Sequence, residues 1–213
     1  MNQPVTPPMT EQHSAHERCD ILIIGAGPAG LAAALAAAPS GAAITIVDDN
    51  PQPGGQIWRD GPQVVLPALA QQHRAALARH TNIRLLPGTR VVGLGDSQPG
   101  DKAPALLLED ADRGWTQHSH RIVLCTGARE LLLPFPGWTL PGVTGAGALQ
   151  ALIKAGLDVR GQRIVIAGTG PLLLAAAATA NKAGATVVRV AEQAPWSALA
   201  GFAAQLPRWP AKA

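Results

Sequence analysis

Residues 19–50 read CDILIIGAGPAGLAAALAAAPSGAAITIVDDN, and the fold is decided inside this stretch. It opens on an unbroken apolar run, Ile21-Leu22-Ile23-Ile24, the pattern of a strand covered on both faces. Gly25-Ala26-Gly27-Pro28-Ala29-Gly30 follows as G-x-G-x-x-G, with Ala34 and Gly41 continuing the spacing. An Ala/Leu-rich helix is predicted next, then a second apolar strand, Ile44–Val47, ending in Asp48 and Asp49. Each part has a physical role. Gly25 allows the tight strand-to-helix turn, Gly27 lets a pyrophosphate approach the backbone, and Gly30 lets the helix pack closely on its strand. The unpaired N–H groups at the helix start meet phosphate charge, and the carboxylate at the end of the second strand accepts from ribose hydroxyls. A lone G-x-G-x-x-G is weak; one set between two apolar strands, with an acid roughly twenty residues on, is strong. The stretch reads as a dinucleotide-binding βαβ unit.

Composition narrows the rest. The chain has 213 residues, 47% of them hydrophobic, which is ample for a core. A net charge of +3 without any dense Lys/Arg run gives no support to nucleic acid binding. Cys19 and Cys125 are isolated, so a disulfide framework, a zinc site and dithiol chemistry all lack their ligands. No apolar run has the length of a membrane span, and the cytoplasm is the expected location. Residues 1–18, polar and Pro-bearing, read as a disordered leader rather than a secretory signal.

Beyond Asp49 the chain alternates between loops and short strands. Asn50 to Arg59 carries Pro51, Pro53 and the pair Gly54-Gly55, a loop suited to close backbone approach. Val64 to His80 has helical spacing. From Asn82 strand patterns dominate: 83–86 as one more parallel strand, then 90–94, 105–109 and 115–118 as an antiparallel meander. Asp110, Asp112, His118 and His120 fall at loops and edges and are expected on a solvated surface rather than around a metal. A separate buried strand, 121–125, then runs into the Thr126-Gly127 turn. The Pro/Gly-rich crossing 134–142 is the expected domain boundary.

The second half repeats the first. Gly168, Ala177 and Gly184 each stand 143 positions after Gly25, Ala34 and Gly41 (168 against 25, 177 against 34, 184 against 41). At this offset Gly170 matches Gly27, while Leu173 replaces the third Gly and Ala191 replaces Asp48, with Glu192 one position late. The lost Gly is expected to push the helix off its strand, and the lost acid to weaken ribose recognition. A nucleotide crevice and a purely structural half both remain open for this copy.

The tandem motifs, the acid-Pro-Gly-Gly-Gln loop and the Thr-Gly-Ala turn together resemble the two-dinucleotide-fold flavoprotein disulfide-reductase superfamily. Within it, GGQIWR (54–59), TGARELLLPFPGWTLPGVTGAGALQ (126–150) and AGTGPLLLAAA (167–177) look like the alpha-type subunits of opine oxidase, hydroxyproline dehydrogenase and hydrogen cyanide synthase. The resemblance implies an FAD site at Gly25, Ala26, Gly27, Pro28, Ala29, Gly30, Asp48 and Asp49. It also places Gly55-Gln56 toward the flavin, the Val91 backbone at adenine and Thr126-Gly127 beside the cofactor. Gly168 and Gly170 would serve NAD(P) or another nucleotide. A flavin-carrying beta-type subunit is the implied partner. The family's return segment after the second domain has no match, since Gly95-Asp96 lies in the meander. The chain therefore resembles the N-terminal half of such a protein, with a chain supplying the C-terminal half as a further implied partner.

The expected fold is α/β. A leader (1–18) precedes a Rossmann-like FAD-binding domain (19–140), a parallel sheet plus antiparallel meander. The start of a second Rossmann-like NAD(P)-type domain (141–213), incomplete at its C-terminus, follows. The expected function is that of an FAD-dependent oxidoreductase subunit for small amine or imino-acid substrates. An NAD(P)H-dependent flavin reductase and a truncated, non-catalytic nucleotide-binding fragment are the alternatives. No protein acid or base stands out as catalytic, and Cys125 reads as core.

Overall fold

In the computed structural model, residues 15–62, 64–128, 130–131 and 133–205 are described. They form two units, one of 15–59 with 66–127, the other of 60–65 with 128–205. The division falls at Gly127/Ala128, so the crossing 134–142 lies within the second unit.

The first unit is a six-stranded mixed sheet in the order β3-β2-β1-β6-β5-β4. Its strands are β1 (Ala15–Ile24), β2 (Ile44–Asp48), β3 (Ile83–Pro87), β4 (Arg90–Leu94), β5 (Leu106–Glu109) and β6 (Gly114–Leu124). β1 pairs in parallel with both β2 and β6, β3 pairs in parallel with β2, and β4-β5-β6 is antiparallel. Central position explains the apolar run. Leu22 and Ile23 point to opposite faces, and both are fully buried. On one face Ile23, Ile44 and Ile46 pack with Leu31 and Ala34 of α1 (Pro28–Ala37), Ala70 of α2 (Ala68–Leu77) and Trp58. On the other, Leu22 and Val47 pack with Leu106, Leu108 and Trp115 from the meander.

Three expectations are corrected here. Residues 15–18 are not leader: they extend β1 and pair with Trp115–His118. Their polarity is met by ion pairs rather than by water alone. Glu17 accepts from Arg84 at 2.6 Å and Arg113 at 2.7 Å, and Arg18 pairs with Asp101 at 3.3 Å. Positions 1–14 of the expected leader lie outside the described residues. Second, the last meander strand and the strand expected from 121 are one element, β6, which pairs with β5 over 114–117 and with β1 along its length. Third, His118 is not solvated. Its side chain is 1% exposed and its Nδ1 lies 2.9 Å from Asp101 Oδ2, itself on a side chain 5% exposed. Among the described residues no group of three or more His, Cys, Asp and Glu could hold a metal.

The second unit contains α3 (Ala146–Lys154), β7 (Arg163–Gly168), α4 (Leu172–Lys182), β8 (Thr186–Glu192) and α5 (Trp196–Ala203). β7 and β8 form a parallel pair. Ile164, Ile166 and Val187 cover Leu173, Ala176 and Ala180 of α4, while Ile153 and Val159 extend the core toward α3. Among the described residues no helix is long and apolar enough to cross a membrane.

Candidate dinucleotide site

The first crevice opens at the C-terminal end of β1. Gly25 N–H donates to Val47 O at 2.8 Å, and the chain then turns into α1. A Cβ on Gly30 would lie 1.8 Å from Gly25 O, so only glycine lets α1 sit this close to its strand. Helix α1 starts behind Gly27 with Pro28 in its first turn, without a side-chain cap and without an acidic residue there. The positive end of its dipole therefore faces the crevice with no acid in the helix's own first turn, which suits an anion.

The loop after β2 closes over this turn. Gly54 N–H donates to Ala26 O at 2.8 Å, and a Cβ on Gly55 would stand 3.0 Å from Gly27 Cα. Gly27 and Gly55 thus bring two backbones together and leave the space beside the turn free of side chains. Trp58, 8% exposed within the core, anchors the loop from below. Gln56 lies in the same loop, beside Arg59.

Asp48 ends β2 with its side chain turned onto the glycine turn. Its Oδ2 accepts from Ala26 N–H at 2.5 Å, and its Oδ1 from Asn50 N–H at 2.8 Å and Asn50 Nδ2 at 2.7 Å. Asp49 is exposed and accepts from Asn50 Nδ2 at 3.1 Å. The turn between β3 and β4 is tied to the same acid: Thr89 N–H donates to Asp48 O at 2.9 Å, which sets Val91 two residues beyond that contact. From the other side, Cys125 N–H donates to Ile24 O at 2.8 Å and carries Thr126-Gly127 to the turn. Gly25 to Gly30, Asp48, Gly55 and Thr126-Gly127 therefore gather at one end of the sheet. Burial raises the Cys125 and Cys19 thiols above their usual value, in keeping with core roles.

The second copy departs from its sequence register. Ile164 pairs with Val187, the counterpart of Ile21 with Ile44, but Val165 pairs with Arg189. Val188 is thus an extra residue, a β-bulge, and beyond it Gly168 faces Glu192. In the first copy the β1–β2 register ends at Ile24–Val47, and continuing it by one step would set Asp48 against Gly25. The bulge restores the acid that the offset of the repeat had lost. Glu192 Oε2 accepts from Gly170 N–H at 2.9 Å and Oε1 from Ala194 N–H at 2.9 Å. The Ala194 and Gly170 donors hold its carboxyl below the usual carboxylate range. The expectation of a lost acid is corrected: Glu192, not Ala191, occupies the position, and no residue spacing could show the bulge. At the third-Gly position of this copy stands Leu173. Leu173 is buried near Gly168, and α4 begins only at Leu172. Asn50 and Arg59 were also missed, because their role lies in side-chain contacts within an irregular loop.

Residues 19–212 match the family model of pyridine nucleotide-disulphide oxidoreductases. The chain belongs to this family. This pyridine nucleotide-disulphide oxidoreductase family member is 35% identical over 189 residues to an opine oxidase subunit from Agrobacterium tumefaciens, covering 82% of this chain and 37% of the relative. It is 36% identical over 182 residues to hydrogen cyanide synthase subunit HcnB of Pseudomonas protegens, covering 80% of this chain and 38% of that one. In fold it is similar to L-proline dehydrogenase from P. horikoshii, with a TM-score of 0.61 at 20% identity over 84% of this chain and 36% of the other. The family member thus spans well under half the length of the relatives it matches. The family is one of FAD-binding oxidoreductases, with NAD(P) also used in its superfamily.

Proposed function

We propose that this chain forms the FAD-binding portion of a flavin-dependent oxidoreductase subunit that acts on amine or imino-acid substrates. The observation that carries the reading is the first crevice. Its uncapped helix start, its side-chain-free backbone approach at Gly27 and Gly55, and the Asp48 carboxylate set on the turn fit an adenine dinucleotide. FAD, when bound, supplies the redox chemistry. The chain's own residues bind and orient. Turn amides and the α1 dipole hold the pyrophosphate, Asp48 reads the adenosine ribose, and Gln56 and Thr126-Gly127 line the flavin side. The substrate class rests on the likeness to the opine oxidase of Agrobacterium tumefaciens. A flavin-carrying second subunit, together with the remaining length that the relatives possess, completes the enzyme in this reading. The cytoplasm remains its proposed location.

The test is the visible spectrum of the purified chain and the nucleotide it releases on denaturation. Yellow protein releasing FAD supports the reading and justifies an amine-substrate screen with the second subunit present. A colourless protein that takes up no flavin points instead to a non-catalytic scaffold.

Glu192 favours a second reading alongside the first. A carboxylate opposite Gly168 suits a nucleotide with a free ribose diol and repels a 2′-phosphate. This supports NAD(H) in the second crevice and keeps a nicotinamide-dependent flavin reductase in view. Reduction of bound flavin by NADH in preference to NADPH tests it.

A further inference from the structure

Asn50 sits at a junction that an ordinary turn residue does not need. Its backbone alone would serve the turn: its N–H donates to Asp48 Oδ1, and its carbonyl accepts from Gly88 N–H at 3.1 Å. Its side chain adds three contacts. Nδ2 donates to Asp48 Oδ1 at 2.7 Å and to Asp49 Oδ1 at 3.1 Å, while its own Oδ1 accepts from Arg59 Nη2 at 3.1 Å. The guanidinium of Arg59 also donates through Nε to Gln56 Oε1 at 3.2 Å.

The chemistry of these contacts is directional. An amide can present either its oxygen or its nitrogen to a carboxylate, and only the nitrogen attracts it. Arg59, a donor with no acceptor, claims the oxygen of Asn50 and so turns the nitrogen toward Asp48. A carboxylate offers about four lone-pair sites. Asn50 fills those on Oδ1 with two donors, and Ala26 N–H fills one on Oδ2. The free acceptor site is then fixed on Oδ2, next to the glycine turn.

We infer that Asn50, oriented by Arg59, is a positioning residue that presents Asp48 Oδ2 to the adenosine ribose. The same guanidinium joins the ribose-reading end of the crevice to Gln56 at its flavin-side end. This rests on the first crevice being the FAD site.

The test measures FAD affinity of the full chain by flavin fluorescence in Asn50→Ala, Asp48→Ala and the double variant. Asn50→Ala is expected to weaken FAD roughly tenfold, the scale of a lost hydrogen bond to a charged group. The double variant is expected to bind no more weakly than Asp48→Ala alone, because Asn50 acts through the carboxylate. A second readout separates positioning from structure: an FAD analogue whose adenosine ribose lacks both hydroxyls. Preference for FAD over this analogue is expected to shrink in Asn50→Ala, whereas a structural defect weakens both ligands equally. If Asn50→Ala does not fold, Asn50→Ser carries the same comparison. Wild-type affinity in the variant, additive losses in the double variant, or an unchanged preference overturns the inference while leaving the FAD site standing. A wild-type chain that binds no FAD overturns both.

Discussion

Glu192 faces Gly168 across the β7–β8 ladder and accepts a hydrogen bond from Gly170 N–H at 2.9 Å. A single extra residue, Val188, produces this alignment. An acid displaced by one place in the sequence is returned to its place in space, and the second crevice keeps a carboxylate at its mouth.

Substituting Glu192 by Ala should therefore weaken NADH binding roughly tenfold, with flavin content unchanged. Titration of each variant with NADH, followed by nicotinamide fluorescence, reads the effect. Equal affinities would show that the second crevice does not read ribose through this acid.

Gly30→Ala should be strongly destabilising. The added Cβ would sit 1.8 Å from Gly25 O, a backbone atom that no rotamer change can move. The helix must shift away from β1, at a cost of about 1–3 kcal/mol for overpacking. Chemical denaturation would show the lower midpoint, and FAD uptake should fall with it.

Trp58→Ala should loosen the loop that carries Gly55 and Gln56. Trp58 packs in the α1/α2 core with its ring 5.3 Å from that of His73. Removal of so large a buried side chain costs about 3–5 kcal/mol. Thermal melts would show the loss, and proteolytic cleavage within 51–58 should quicken.

Asp101 should make the fold acid-sensitive. The Gln98 N–H, then His118, lower its carboxyl below its usual 3.8, and Arg18 adds to this. A folded-state pKa below the unfolded value means stabilisation present above about 3.8 and lost as pH falls through the folded value. Asp101→Asn should thus be less stable near neutral pH and lose less on acidification. Melting temperatures of both proteins across that range decide it; parallel curves would remove Asp101 from the acid response.

The legible parts of this chain were those governed by local pattern. Ile21–Ile24 reads as a buried strand because both its faces are covered, and the glycine turn reads as a phosphate site because its spacing is a backbone requirement. What stayed hidden depends on distant partners. Residues 15–18 look like leader because nothing nearby reveals Arg84, Arg113 and Asp101, which neutralise them. His118 looks like surface because its burial depends on a loop that folds back over it. Glu192 was masked by a bulge, and Asn50 by contacts of its side chain with Asp48 and Arg59.

Because β6 is continuous, the meander and the nucleotide end share one backbone ruler. Its first residues are read by β5, and its last deliver Thr126-Gly127 to the turn. Side chains alternate along it, so deleting one residue at its centre would reverse the facing of everything on one side of the cut. Lengthening the hairpin tip at 110–113 would leave this register intact, whereas lengthening the strand behind it would not. The ornament can vary while the graduation marks stay fixed.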